Sequence, residues 1–115
     1  MSDFVWGLKN GDLDQVKEAV EKGADVNASI DGRIPLCLAS DYGQKDIVKF
    51  LLEKGANVNV KDKHGISPLL AAIWEGHTNC VQLLLEAGAS KTDVAPDGTS
   101  YLDAAEKEEI KALLR

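Results

Sequence analysis

Six of the ten glycines in this chain keep two parallel registers, and those registers limit what it can fold into. Gly11, Gly43 and Gly76 fall 32 and then 33 residues apart, and Gly23, Gly55 and Gly88 repeat the same two intervals. Pro35 and Pro68 are again 33 apart. The phrases around the second glycine set agree: GADVN at 23–27, GANVN at 55–59 and GASKT at 88–92, each after a leucine- or valine-rich segment. A period of this length describes small units that cannot bury their own apolar faces and must stack on one another.

The best-formed unit is 62–89, DKHGISPLLAAIWEGHTNCVQLLLEAGA. It reads as a turn, a short helix, a glycine break and a second helix. Ser67 suits an N-cap with Pro68 at the first helical position, where the missing N–H costs nothing. Gly76 stops that helix. Residues 80–86 are apolar enough for a buried second helix, and Gly88 stands where a left-handed C-terminal cap is cheapest. Two helices this short do not persist alone.

Composition narrows the class. At 115 residues the expectation is one domain, 1–115. Asp and Glu outnumber Lys and Arg 19 to 13, giving a net charge of -6, which argues against nucleic acid or an anionic membrane as partner and favours a basic protein surface. No window has the apolar length of a membrane span, and MSDFVWGLKNGD lacks a basic, hydrophobic leader. The expected location is cytoplasmic, with the nucleus also accessible. Cys37 and Cys80 are far apart, each within an apolar helical pattern, and are expected as reduced, buried thiols. Asn27-Ala28-Ser29 matches a glycosylation acceptor, which carries no weight without a secretory leader.

With the repeats laid out, the chain resembles the ankyrin repeat family. The family pattern of a turn glycine, TPLH, paired alanines, a glycine break, an IVxxLL helix and GAxVN is matched by Gly65, SPLL at 67–70, Ala71-Ala72, Gly76-His77, CVQLLL at 80–85 and Gly88-Ala89. The second unit matches through Gly32, IPLC at 34–37, Ala39, Gly43, IVKFLL at 47–52 and GANVN. The resemblance implies an all-α ankyrin-repeat solenoid of helix-turn-helix units with β-turn tips. Two full central repeats stand between truncated N- and C-terminal capping repeats, at about 1–28, 29–61, 62–94 and 95–115.

The caps depart from the pattern in a physically sensible way. Repeat one lacks the turn and proline; its helices are expected at 4–10 and 13–21, the second capped by Asp12. Repeat four sets Leu102-Asp103-Ala104-Ala105 against Leu69-Leu70-Ala71-Ala72 at an interval of 33, but its last helix against Val81 to Leu85 at 29, so four residues and the glycine break are missing. Its run Glu106 to Glu109 is expected to be solvated, with acids opening the last helix and Lys111 and Arg115 closing it in the favourable dipole order. Cys37, Leu70 and Asp103 replace the histidine of TPLH, which leaves looser turns as the expectation.

In such repeats the tips and first helices line a concave groove. Position within the repeat places Lys9, Asn10, Ile30, Asp31, Arg33, Asp41, Tyr42, Lys63, His64, Ile66, Trp74 and Glu75 in it, and Trp6, at a position that often packs inward, is counted with them in the expected contact surface. Tyr42 and Trp74 at helix ends are expected as exposed anchors. Trp6 divides between core and exposed cap.

Catalysis finds no support. The only histidines are His64, in a tip, and His77, in the structural GH position, and the cysteines offer no metal spacing. The glycines are repeat punctuation and form no phosphate loop. No catalytic residue, metal or cofactor is expected, and the chain is not expected to be an enzyme. Its phrasing, including LKNGDLDQVKEAVEKGADVN at 8–27 and IKALLR at 110–115, is similar to a free-standing branch of the ankyrin family of almost this length. That resemblance implies a monomer that binds heterodimeric actin-capping protein and sterically blocks barbed-end capping, so favouring filament growth. The alternative is a regulator or adaptor of an NF-kappa-B type transcription factor or another protein in the same groove.

Overall fold

Short helices need defined starts, and the chain supplies them in different ways. The computed structural model describes residues 3–115, so positions 1 and 2 of the expected first repeat lie outside the described residues. The described residues form eight helices: α1 (Asp3–Asn10), α2 (Leu13–Glu21), α3 (Pro35–Asp41), α4 (Lys45–Glu53), α5 (Pro68–Trp74), α6 (Thr78–Glu86), α7 (Tyr101–Ala104) and α8 (Glu108–Leu114). Asp12 Oδ1 accepts the Gln15 N–H at 3.1 Å and opens α2. Ser67 Oγ accepts the Leu70 N–H at 3.1 Å, with Pro68 following it as the first residue of α5. Ser100 does the same for α7, accepting from Asp103 at 3.0 Å.

The helices stack in two layers. α1, α3, α5 and α7 pack successively in one, α2, α4, α6 and α8 in the other, and each odd-numbered helix packs on the even-numbered one that follows it. The molecule is elongated along the stack, 39 × 24 × 21 Å. Leu8, Leu36, Leu69, Val16, Val48, Val81, Leu51 and Leu84 are fully buried between the layers, each worth about 2 kcal/mol of transfer energy. Ala39 and Ala72 are also fully buried, small side chains that let helix axes approach.

Two sets of side chains bolt one unit to the next. Gln44 Nε2 donates to the Lys9 carbonyl at 2.8 Å, and one repeat later the His77 ring Nε2 bonds the Asp41 carbonyl at 3.0 Å. Each bond passes over the glycine that breaks the preceding helix: a Cβ on Gly43, whose φ is +70°, would stand 2.6 Å from the His77 ring. In the second set, Asn27 donates to the Gly55 carbonyl at 3.1 Å and accepts from Asn57 N–H at 2.8 Å. Asn59 repeats this with Gly88 at 3.3 Å and Ser90 at 2.9 Å. The GADVN and GANVN phrases are thus inter-repeat connectors, which also accounts for the asparagine of the apparent glycosylation pattern.

The expected β-turn tips require correction. Among the described residues there is no β-strand; the only sheet-like features are isolated bridges between Ile30 and Arg33 and between Val94 and Ser100. The segments between paired helices are too short and too polar to pair with each other as a ladder, and local side-chain bonds hold them instead. Asp62 Oδ1 accepts from the His64 and Ile66 N–H groups at 2.8 and 3.1 Å, and Asp97 Oδ1 from Thr99 at 2.9 Å. Where the family places histidine, the Cys37 thiol donates to the Ile66 carbonyl at 3.5 Å, so a link between the units survives the exchange.

Both cysteines are free and buried, and burial pushes their thiols up to about 12 for Cys37 and about 11 for Cys80. The last unit is built from short helices. α7 has only 4 residues, Ala105 is extended at ψ 134°, and α8 begins with Glu108 and Glu109 and carries Lys111 in its last turn. Tyr101 holds it in place. Its ring is buried and its hydroxyl lies 2.7 Å from that of Ser67.

Candidate functional site

The layer formed by α1, α3 and α5 carries three of the four large exposed apolar side chains among the described residues. Trp6 is 45% exposed, Tyr42 47% and Trp74 46%. Tyr42 is the C-terminal cap of α3 and Trp74 the last residue of α5, so both stand where a helix ends before a glycine and the core ends with it. Trp6 resolves to the exposed side of its two expectations. Its equivalents one and two repeats on, Leu38 and Ala71, are buried, and Trp6 differs in having no preceding unit among the described residues to cover it.

The other residues expected at the groove are found in several states. Asn10 is exposed, and its amide turns back on its own helix to donate to the Trp6 carbonyl at 2.9 Å. Glu75 caps α5 and is exposed, as are His64 and Asp31, the latter in the left-handed region at φ +53°. Lys9 is half-buried and its carbonyl is taken by Gln44. Ile66 is half-buried, packed on the core with its backbone engaged in the tip.

Arg33 and Asp41 are linked. Arg33 Nε lies 3.2 Å from Asp62 Oδ2, and its Nη2 is 4.0 Å from Asp41 Oδ2. The Asp62 side chain is fully buried, whereas Arg33 and Asp41 are about equally accessible, their side chains 31% and 33% exposed, so a partner meets the two together. Lys63 lays its methylenes over Gly32, where a Cβ would collide with the Lys63 Cδ. It therefore acts first as a clamp on the neighbouring tip. The surface thus offers aromatic faces with Asp41 and Glu75 beside them, suited to apolar anchoring inside a charged rim.

Several contributors were not singled out by position in the repeat. Asp62, Gln44 and Tyr101 act across unit boundaries, and Val94, 49% exposed, adds an apolar spot at the fourth tip. Among the described residues there is no group of three or more His, Cys, Asp or Glu placed to hold a metal ion. Among them, too, no helix is long and apolar enough to cross a membrane.

A family model described as ankyrin repeats in three copies matches residues 4–95. The chain belongs to the ankyrin-repeat family. It is similar to myotrophin of Xenopus tropicalis, 55% identical over 113 residues covering 97% of this chain and 96% of that protein. Myotrophin of Rattus norvegicus is 55% identical, and that of Homo sapiens 54%, each over 114 residues covering 98% of this chain and 97% of the relative. Similarity at this level runs through both shortened end units as well as the central ankyrin repeats. The chain is accordingly a non-enzymatic, myotrophin-like module for protein–protein interaction.

Proposed function

We propose that this ankyrin-repeat protein binds heterodimeric actin-capping protein through the α1/α3/α5 surface and sterically keeps it off filament barbed ends. Filament growth is favoured as a result, and the site of action is the cytoplasm. The observation that carries the reading is the exposure of three aromatics on the α1/α3/α5 layer, Trp6, Tyr42 and Trp74, the last two adjoining Asp41 and Glu75 in the chain, on a scaffold that does not need them for its core. Similarity to myotrophin over nearly the whole chain supports it, as does the net charge of -6, which suits a basic partner.

Immobilised chain and purified capping protein test the proposal directly, with pyrene-actin elongation as the functional readout. Binding at low micromolar concentration and restored barbed-end growth in the presence of capping protein are the expected results. Capping left unchanged by saturating chain would overturn the reading and leave the groove to a transcription-factor regulator or another adaptor role.

A further inference from the structure

Three pairs in the chain place Asp or Asn directly before glycine: Asn10-Gly11, Asp31-Gly32 and Asp97-Gly98. In such a pair the glycine nitrogen, unshielded by a Cβ, is positioned along the chain to attack the preceding side chain at Cγ and close a five-membered succinimide ring. The fold restrains two of the three. The Gly11 N–H is bonded to the Gly7 carbonyl at 2.9 Å, and the Asn10 amide is turned onto the Trp6 carbonyl at 2.9 Å. The Gly98 N–H donates to the Ala95 carbonyl at 2.8 Å, and Asp97 Oδ1 is held by the Thr99 N–H at 2.9 Å. That second bond also keeps the Asp97 carboxyl below the usual carboxylate range, and the protonated carboxyl is the form that loses water.

Asp31-Gly32 is held differently. Ile30 and Arg33 exchange two backbone bonds, of 2.7 and 3.0 Å, around a two-residue connection in which Asp31 (φ +53°) and Gly32 (φ +83°) are both left-handed. Among the described residues Asp31 is the one non-glycine in that region, a conformation an L side chain resists. The peptide between the two residues is unsecured: neither the Asp31 carbonyl nor the Gly32 N–H has a hydrogen-bond partner among the described residues, and no cation pairs with the exposed Asp31. A flip of that peptide changes only ψ of Asp31 and φ of Gly32. It leaves in place the Ile30–Arg33 bonds and the bond from the Lys63 N–H to the Gly32 carbonyl at 3.1 Å. The flip converts one favoured two-residue connection into the other, and glycine accepts the change in φ. In the flipped form ψ of Asp31 is about −120°. For an L-residue that angle eclipses the following nitrogen with Cβ, so the Gly32 nitrogen faces the Asp31 side chain as ring closure requires.

We propose that Asp31-Gly32 is a site of spontaneous backbone isomerisation, in which Asp31 passes through a succinimide to isoaspartate. The Gly32 nitrogen bonds to Cγ of the protonated carboxyl, and the hydroxyl leaves as water with the proton from the N–H. Water then adds to the ring at the former Asp31 backbone carbonyl, the C–N bond there breaks, and the proton returns to the nitrogen. The main chain now runs through Cβ and Cγ, and the α-carboxylate hangs from it. Addition at Cγ instead regenerates Asp31. The extra methylene lengthens a connection whose two cross bonds fit two residues, so isomerisation loosens the Ile30–Arg33 pairing. Arg33, which reaches Asp62 and Asp41, is released with it.

The test incubates the full chain for weeks near neutral pH, folded and in urea, and follows tryptic peptides by mass spectrometry with electron-transfer fragmentation, which distinguishes isoaspartate from aspartate. Residues 23–33, 92–107 and 10–17 fall in separate peptides, so one digest reads all three pairs. In the folded chain isoaspartate should accumulate at Asp31 at least fivefold faster than at Asp97, and ahead of deamidation at Asn10. In urea the two Asp-Gly pairs should converge and Asn10, whose amide is the better leaving group, should lead. Asp31→Glu keeps the charge but would need a six-membered ring, and should abolish the change at this tip. Equal rates at Asp31 and Asp97 in the folded chain, Asn10 leading there as it does in urea, or no isoaspartate at Asp31 would each overturn the proposal.

Discussion

The guanidinium of Arg33 sits 3.2 Å from a carboxylate of Asp62 that is wholly withdrawn from water, joining the second tip to the third. The other oxygen of Asp62 closes its own tip through the His64 and Ile66 N–H groups. One side chain thus forms the turn and fastens it to its neighbour. Removing it leaves two N–H groups and a half-buried cation without their acceptor, so Asp62→Ala should destabilise the fold by about 2–4 kcal/mol. Urea denaturation measures this. Arg33→Ala should cost less, because the Asp62 carboxylate keeps its two backbone donors.

The bond from His77 to the Asp41 carbonyl makes a similar prediction at smaller scale. His77→Ala should lower stability by about 1 kcal/mol, and Gln44→Ala, which cuts the equivalent bond to Lys9, by about the same. The two substitutions act at different unit boundaries. Their effects should therefore add in the double variant, within the error of the denaturation curves.

Much of this architecture is legible in the sequence. Gly76, Pro68, Ser67, Asp12 and the leucines have local roles, capping or breaking a helix or facing a core, and local roles leave periodic marks. Gln44 and Tyr101 leave no such mark. Gln44 occupies the position of His77 with different chemistry, and Tyr101 stands where the central units have a proline; what they touch is fixed only when one unit lies on the next. The same applies to Asp62, whose place in a polar tip gave no sign of burial beneath Arg33. At the groove, helix-end position was enough to expose Tyr42 and Trp74. Trp6 could not be decided from its own unit, because its burial depends on what lies before it.

Alkaline solution should weaken the fold through groups held protonated inside it. Burial raises the Cys37 thiol to about 12 and the Cys80 thiol to about 11, and it also raises the Tyr101 phenol despite the opposing bond to Ser67. In each case the unfolded chain gives up its proton at lower pH than the native one. The stabilising contribution is complete below the unfolded thiol value of about 9 and is lost as pH rises toward the native values. The urea midpoint should fall from pH 9 to pH 11, and Cys37→Ala should flatten that fall. Native protein at pH 8 should also react slowly with a thiol reagent, with urea restoring both cysteines.

Trp74 separates binding from stability. Its ring is nearly half exposed at the end of α5, so Trp74→Ala removes little core, and the melting temperature should change only slightly. If the ring anchors a partner, the same substitution should weaken capping-protein binding by about tenfold or more, because aromatic side chains at the centre of an interface carry a large share of its energy. Asp41→Lys should add a charge penalty visible mainly in the association rate, whereas Val94→Ala, at the fourth tip, should leave binding unchanged. Surface plasmon resonance on the three variants reads both quantities. Wild-type affinity in Trp74→Ala would remove the aromatic row from the contact surface even if capping protein still bound.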